Sequence, residues 1–583
     1  MFARARGWVE SWNRVKDLPE DELKEYLVKK CRNGFQMAKK PSRSQKDAWV
    51  TLLAEPGKTK DELSPLAMRM VGQVRGCLER EGYDFEINLD DTGGVAYAEV
   101  HFRSLTKKRE MPTVRPSHVV LAATLMAALA VAQTPADPFP TPIPAADGAI
   151  TVEFVEFASI PDSDGQPARM MLLVDEPGTR RMFVNDMRGP LHSVSYDGKT
   201  VVRYLDVNAA EWGVRVNATG RERGVQSFAL HPQFGQAGTP GFGKIYVITD
   251  TANVDPPPDF RPLGATTNTH DTVLLEWTAR TPGASTYDGG APRELMRWEQ
   301  PFANHNAGHL TFNPLATPAS PDFGLLYIGF ADGGSGGDPL SLAQNRASAF
   351  GKILRIDPLG SNSANGKYGI PANNPFVSAG GDTLREIYAV GLRNPQRFAW
   401  DPRNGNMFVA DIGQNVVEKV SLVTAGANLG WNKWEGSYPF AGRGITVDNL
   451  RGDPAITYPL VEYGQADPLF QPQSAVTMCC VYRRTEIRQL TGLVLFGDNP
   501  SGEIFYFSAD ALPRGGQDAI RRVLFIDKGT RTTLLQLIQA KVAVLGKPPA
   551  TRADLRFGPG PDGQIFVLNK ADGVIRLLVP SRL

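Results

Sequence analysis

The chain has 583 residues, 63 of them basic and 62 acidic, with 42% hydrophobic and 21% charged side chains. It is too long and too apolar to be disordered, and its balanced charge argues against a dedicated nucleic-acid binder. Four cysteines, two of them the neighbours Cys479 and Cys480, do not make a disulfide scaffold.

Charge divides the chain. Residues 1–110 hold 21 Lys/Arg and 18 Asp/Glu, whereas 50 of the 58 glycines lie beyond residue 110. The first 110 residues read as a small charged α+β unit in which no chemistry is legible. Asp17-Leu18-Pro19 and Ser64-Pro65 are N-cap and first-turn pairs that open helices. Tyr83 to Phe102 reads as a hairpin turning at Asp91-Thr92-Gly93-Gly94.

Next, Lys107, Lys108, Arg109 and Arg115 precede an uncharged run from Val119 to Ala132 that ends Ala130-Val131-Ala132. A basic start, an apolar stretch short of the roughly 20 residues of a membrane span, and small closing residues are the pattern of a secretory signal. Residues 111–132 are therefore expected to be a signal peptide beginning at Met111, or a signal-anchor behind a cytoplasmic 1–110 unit. Either places the remainder in the periplasm or outside the cell; an uncleaved 119–132 would anchor it to the membrane. Prolines 135, 138, 140, 142 and 144 make 133–148 an extended linker.

From residue 170 one pattern recurs: an apolar strand, a turn with Pro, Gly or Asp, then a strand centred on Phe or Tyr. Copies begin at Met170, Ser227, His309, Arg397, Gly492 (shortened) and Asp554. A single copy leaves both sheet faces exposed, and radial packing buries them. The expected fold is all-β, a six-bladed β-propeller over 149–583, with the strand Ile150 to Phe157 completing the last blade. A pair of β-sandwiches is the alternative.

Three segments carry polar residues at strand ends. Ala303 to His309 (ANHNAGH) holds two of the seven histidines, and an imidazole suits a general base. Ala331 to Asp338 (ADGGSGGD) offers an aspartate that could orient an imidazole, and glycines that admit a ligand. It lacks the strand–helix setting of a phosphate loop, which excludes nucleotide binding. Arg393-Asn394 can clamp a carboxylate, and the Asp411 to Glu418 turn can offer oxygens to calcium. Each has a plainer reading, as a loop histidine, a glycine turn or a surface ion pair.

From about Phe154 onward the chain resembles the soluble aldose sugar dehydrogenases dependent on pyrroloquinoline quinone (PQQ), the glucose/sorbosone dehydrogenase family. The resemblance rests on NHNAGHL, ADGGSGGDPLSLAQN, GKILRID, IPANNPFV, EIYAVGLRNPQRFAWDP, DIGQN and GANLGW, in that order. It implies a six-bladed propeller. It makes His305 the catalytic base, Asp332 its partner, and Arg393 and Asn394 holders of the quinone. Gly413 and Gln414 become carbonyl ligands of the calcium beneath the quinone, and Glu418 lies by a second calcium. Glu222 falls at the substrate pocket. The implied reaction is oxidation of a sugar's anomeric hydroxyl to a lactone by hydride transfer from C1, with electrons passed to an external acceptor.

Four departures stand out. Pro500 occupies a turn where relatives place a lysine or polar group, and only Arg552 approaches the place of a late arginine pair. Lys419 stands where a second carboxylate is common, and Met478-Cys479-Cys480-Val481 replaces a glycine-rich strand start. Each lost charge-assisted bond to a tricarboxylate is worth about 1.5–3 kcal/mol, so a weakened hold on the quinone is expected. A non-catalytic calcium-stabilised binding module and a propeller lactonase using calcium and His305 are the competing functions.

Overall fold

The structure is a computed structural model that describes residues 138–262, 270–442, 444–470 and 473–581, and scattered residues between 23 and 102. The expected signal segment 111–132 and the Asp17-Leu18-Pro19 cap lie outside the described residues. The chain divides into two compact units, Met1–Leu129 and Ala130–Leu583.

In the first unit, strands Ala48–Pro56, Val95–Phe102 and Phe85–Thr92 form an antiparallel sheet in that order. Phe85–Thr92 and Val95–Phe102 pair as the expected hairpin, with Thr92 opposite Val95; Gly93 and Gly94 lie outside the described residues. The Ser64 hydroxyl accepts a hydrogen bond from Ala67 N–H at 3.2 Å, as expected of a helix N-cap.

The second unit is mostly β. Its sheets begin with strands Met170–Glu176, Val225–Leu230, Ala307–Phe312, Pro395–Trp400, Val476–Tyr482 and Arg556–Pro559. Each of these first strands packs against the next, and the last packs against the first, which closes a ring. Within a sheet, neighbouring strands pair antiparallel, as in Lys244–Thr251 with Asp271–Thr278.

Two strand pairings, made by hydrogen bonds, join the ring out of chain order. Ile150–Ser159 pairs antiparallel with the C-terminal strand Val574–Pro580, completing the last sheet as expected. Its other edge pairs parallel with Arg521–Asp527 of the preceding sheet, which merges the two.

The fifth repeat is not shortened. Its first strand is Val476–Tyr482, which the Met-Cys-Cys-Val departure concealed. A register shift between Met478 and Cys480 brings the two sulfurs to 3.2 Å as free thiols. Among the described residues of this unit, one α-helix, Leu534–Val544, lies between sheets; Thr533 and Gln536 form its capping box, and Leu534, Ile538 and Val542 face the core.

Large apolar side chains fill the space between sheets. Trp298 stacks on Phe330 at 4.5 Å, and Phe350 meets Phe330 edge-on. All three rings are fully buried. Each such ring contributes about 1.5–3 kcal/mol through burial. That rigid packing leaves the strand ends to carry the site.

Candidate functional site

The turns entering and leaving the first strands enclose a cavity of about 730 Å³. Its wall includes His305, Arg393, Asn394, Gly413, Gln414, Arg552 and Glu222, so seven of the sequence-predicted residues converge. Asp332 and Glu418 lie directly behind that wall, both buried.

His305 sits in the turn before Ala307–Phe312 with φ of +55°. Its Nδ1 lies 2.8 Å from Asp332 Oδ1, which directs the other ring nitrogen away from the carboxylate. Asp332 is itself fixed from three sides. Gly334 N–H donates to Oδ1 at 3.0 Å, Trp431 Nε1–H donates to Oδ2 at 2.8 Å, and Asp332 N–H donates to Arg393 O at 2.8 Å. Gly334 adopts φ of +99°, and a Cβ there would lie 2.5 Å from Asn304 O, so only glycine fits the turn. Burial opposes ionisation of Asp332, but the imidazole, Arg393 and the Gly334 N–H outweigh it and hold the carboxyl below its ordinary range.

Arg393 is clamped at both ends. Its N–H and that of Asn394 donate to Asp411 Oδ1 at 3.0 and 2.7 Å, while Nε–H donates to Gln414 Oε1 at 3.1 Å. The guanidinium lies 5.6 Å from the Trp431 ring, so one indole contacts both Asp332 and Arg393. Lys419 pairs with Asp411 at 3.1 Å, both buried; the lysine thus serves the Arg393 turn.

The Gly413–Val417 turn is drawn tight by Glu435, whose Oε1 accepts the N–H groups of Gln414, Asn415, Val416 and Val417 at 2.7–3.2 Å. A Cβ on Gly413 would lie 1.7 Å from Val417 O. Glu418 does not reach the cavity. Its carboxylate accepts from Gly413 N–H, Val476 N–H and Gln465 Nε2–H, and burial pushes its pKa up to about 7. Among the described residues, no group of three or more His, Cys, Asp or Glu side chains is arranged to hold a metal.

Arg552 donates to Gln473 Oε1, Asn499 Oδ1 and Asp554 Oδ1 at 2.7–3.1 Å. Pro500 lines the cavity and brings no charge, as the sequence shows. The expected shortage of cations is nevertheless corrected by the structure: Arg169, Arg221, Arg556 and Lys570 line the same cavity. With Arg393 and Arg552 they face two carboxylates, Glu222 and Asp554. Arg556 is buried, its Nε–H has no partner, and burial lowers its pKa to about 10. Trp431 was visible within GANLGW without a role; Glu435, Arg169, Arg556 and Lys570 sit in no legible motif.

Behind Gln226, Asp250 accepts hydrogen bonds from Thr272 Oγ1 at 2.6 Å and Gly224 N–H at 3.0 Å. Burial pushes its pKa up to about 7.

This cavity belongs to a chain whose residues 165–512 match the family described as glucose/sorbosone dehydrogenase. The chain is a member of that family. HIPL2 protein of Arabidopsis thaliana is 31% identical over 270 residues, covering 42% of this chain and 38% of that protein. HIPL1 protein of the same plant is 28% identical over 397 residues, covering 62% and 54%. The chain thus spans about half or less of the length of these two relatives. A crystal structure of glucose dehydrogenase aligns with 74% of this chain and 99% of its own, at 17% identity and a TM-score of 0.50. That likeness shows the fold, a β-propeller. No helix among the described residues is long and apolar enough to cross a membrane.

Proposed function

We propose that the chain is a PQQ- and calcium-dependent dehydrogenase that oxidises the anomeric hydroxyl of an aldose to a lactone. The observation that carries this reading is the fixed His305–Asp332 pair, 2.8 Å apart, at the wall of a cavity with six cationic side chains. We take the first strands of the ring to be the inner strands of six blades, with Ile150–Ser159 completing the last. A periplasmic or secreted location follows from the signal-like 111–132 segment.

The residues present fit the proposed cofactor. A tricarboxylate needs cations, and the unpartnered Nε–H of buried Arg556 is a donor left for such a ligand. Arg393, Asn394, Arg552 and Arg556 would hold the quinone's polar rim. The carbonyl oxygens of Gly413 and Gln414 would hold calcium, an ion that takes backbone oxygens readily. We assign Glu418 the support of that turn through Gly413 N–H rather than direct ligation. PQQ with calcium supplies a hydride acceptor.

The chain's own residues do the rest. Asp332 keeps Nδ1 protonated, so Nε2 of His305 is the nitrogen that takes the anomeric hydroxyl proton. Asp332 then stabilises the imidazolium. Arg393 is held by Asp411, Gln414 and Trp431 so that its charge faces the cavity before substrate arrives, which lowers reorganisation during the reaction. Glu222, whose Oε2 accepts His305 N–H at 2.8 Å, is placed to receive a sugar hydroxyl. Electrons leave to an external acceptor.

The test is reduction of an artificial dye by protein loaded with PQQ and calcium. Aldose-dependent reduction supports the dehydrogenase. Lactone opening with calcium alone would favour the lactonase, and sugar binding without either activity would favour a binding module.

A further inference from the structure

The cavity holds more positive charge than a tricarboxylate on a calcium ion neutralises. Arg169 belongs to the first sheet, Lys570 to the last and Arg221 to the approach to the second; Arg393 belongs to the fourth, three places round the ring from Arg169. Backbone oxygens hold two of these cations, Arg169 and Lys570, and the Arg221 carbonyl is among them. Arg169 donates to Ala218 O at 2.9 Å and Gly220 O at 2.8 Å, and Lys570 Nζ donates to Arg221 O at 3.1 Å. Neither has a carboxylate within ion-pairing distance among the described residues, although at longer range Asp186 and Asp554 act on Arg169, and Asp554 and Glu222 on Lys570. Burial and the like charges of Arg556 and Arg169 push the Lys570 pKa well down. Crowded cations with neutral partners are costly, and an anion seated among them removes the cost.

Their position relative to the base gives the occupant. Arg221 precedes Glu222, the carboxylate that accepts His305 N–H. The cluster therefore adjoins the part of the wall where a sugar would present its anomeric hydroxyl. We propose that the substrate is an anionic aldose of the uronic acid class, its carboxylate held by Lys570, Arg169 and Arg221. This rests on the dehydrogenase reading. Oxidation at C1 sends one proton to His305 and a hydride to the quinone, gives the lactone, and leaves the sugar carboxylate unchanged.

The experiment compares glucuronate with glucose on the PQQ- and calcium-loaded full chain. Wild type is expected to favour glucuronate by about tenfold or more in kcat/KM, the worth of one charge-assisted contact. Lys570→Gln and Arg169→Gln should each lower that ratio by raising KM for glucuronate. Equal or reversed preference overturns the proposal while leaving the dehydrogenase intact. If no aldose is oxidised, the dehydrogenase reading has failed, and calorimetric titration of glucuronate decides the anion subsite separately. Binding that persists with PQQ present and is lost in Lys570→Gln upholds the subsite. No binding overturns it, as does binding that PQQ abolishes, because the cations then belong to the cofactor.

Discussion

Two walls of one cavity are built differently. On the wall from the third and fourth sheets, the imidazole, its carboxylate and the guanidinium are each fixed by side-chain or backbone partners: His305 on Asp332, Asp332 on Trp431 and Gly334, Arg393 on Asp411 and Gln414. On the wall from the last, first and second sheets, Arg169 and Lys570 have carbonyl partners, and Arg556 keeps an unpartnered Nε–H. The first wall holds its ionisable groups in place before any ligand arrives, which suits the proposed base. The second is under-satisfied, and that is the mark of a surface finished by its ligand.

The sharpest way to break this contrast is at the base. His305→Ala should lower dye reduction by about 10³-fold or more while leaving the unfolding midpoint close to wild type, since the side chain lines a cavity. Circular dichroism alongside the kinetics checks this; a variant that loses activity only because it unfolds would place His305 in the structure rather than the chemistry.

Asp250 tests the second-sheet wall. Its folded pKa of about 7 lies above its unfolded value, so the native state holds the extra proton between roughly pH 4 and 7. Stability should therefore be greatest at the acid end of that window and fall as pH rises to about 7. Asp250→Asn removes the dependence, gaining on wild type by up to about 3 kcal/mol between pH 5 and pH 8. Urea titrations at the two pH values measure it, and parallel curves would contradict it.

Asp332→Asn should cost about 10² in kcat with little change in KM, because it removes charge from behind the imidazole without touching substrate. A change confined to KM would show that Asp332 acts in binding. The mildest effect belongs to Trp431→Phe, which keeps a ring beside Arg393 but deletes the donor to Asp332 Oδ2. Steady-state kinetics should show about a tenfold fall in kcat, in line with one lost hydrogen bond to a charged group. Wild-type kcat would show that Gly334 N–H and the imidazole suffice to orient the carboxylate.

The same contrast explains what was legible in the amino-acid sequence. Strand repeats with Phe or Tyr centres reveal the sheets, because burial on both faces forces composition at every copy. Of the first strands, Val476–Tyr482 escaped, since its Met-Cys-Cys run breaks the pattern at a register shift. The helix Leu534–Val544 was missed because it lies in a loop between sheets, where no repeat constrains it. His305, Asp332 and Arg393 were readable because each sits in a short turn whose neighbours must also be Gly, Asn or Asp. Arg169, Arg556 and Lys570 were not, because they reach the cavity singly from separate strand ends. Lys419 was legible as a departure beside Glu418 but not its partner, since Asp411 lies on the neighbouring strand. Proximity in the chain identifies turns, but closure of the ring decides what faces the cavity.

The central claim, that a base and a ring of cations act on a sugar beside a bound quinone, is tested most directly by an anaerobic single turnover. PQQ and calcium are loaded, unbound cofactor is removed, and an aldose is added with no dye present. Wild type should lose the oxidised-quinone absorbance in proportion to bound PQQ, and His305→Ala should bind PQQ equally but keep that absorbance. Failure of PQQ to remain with the wild-type chain, or equal bleaching in both proteins, would contradict it.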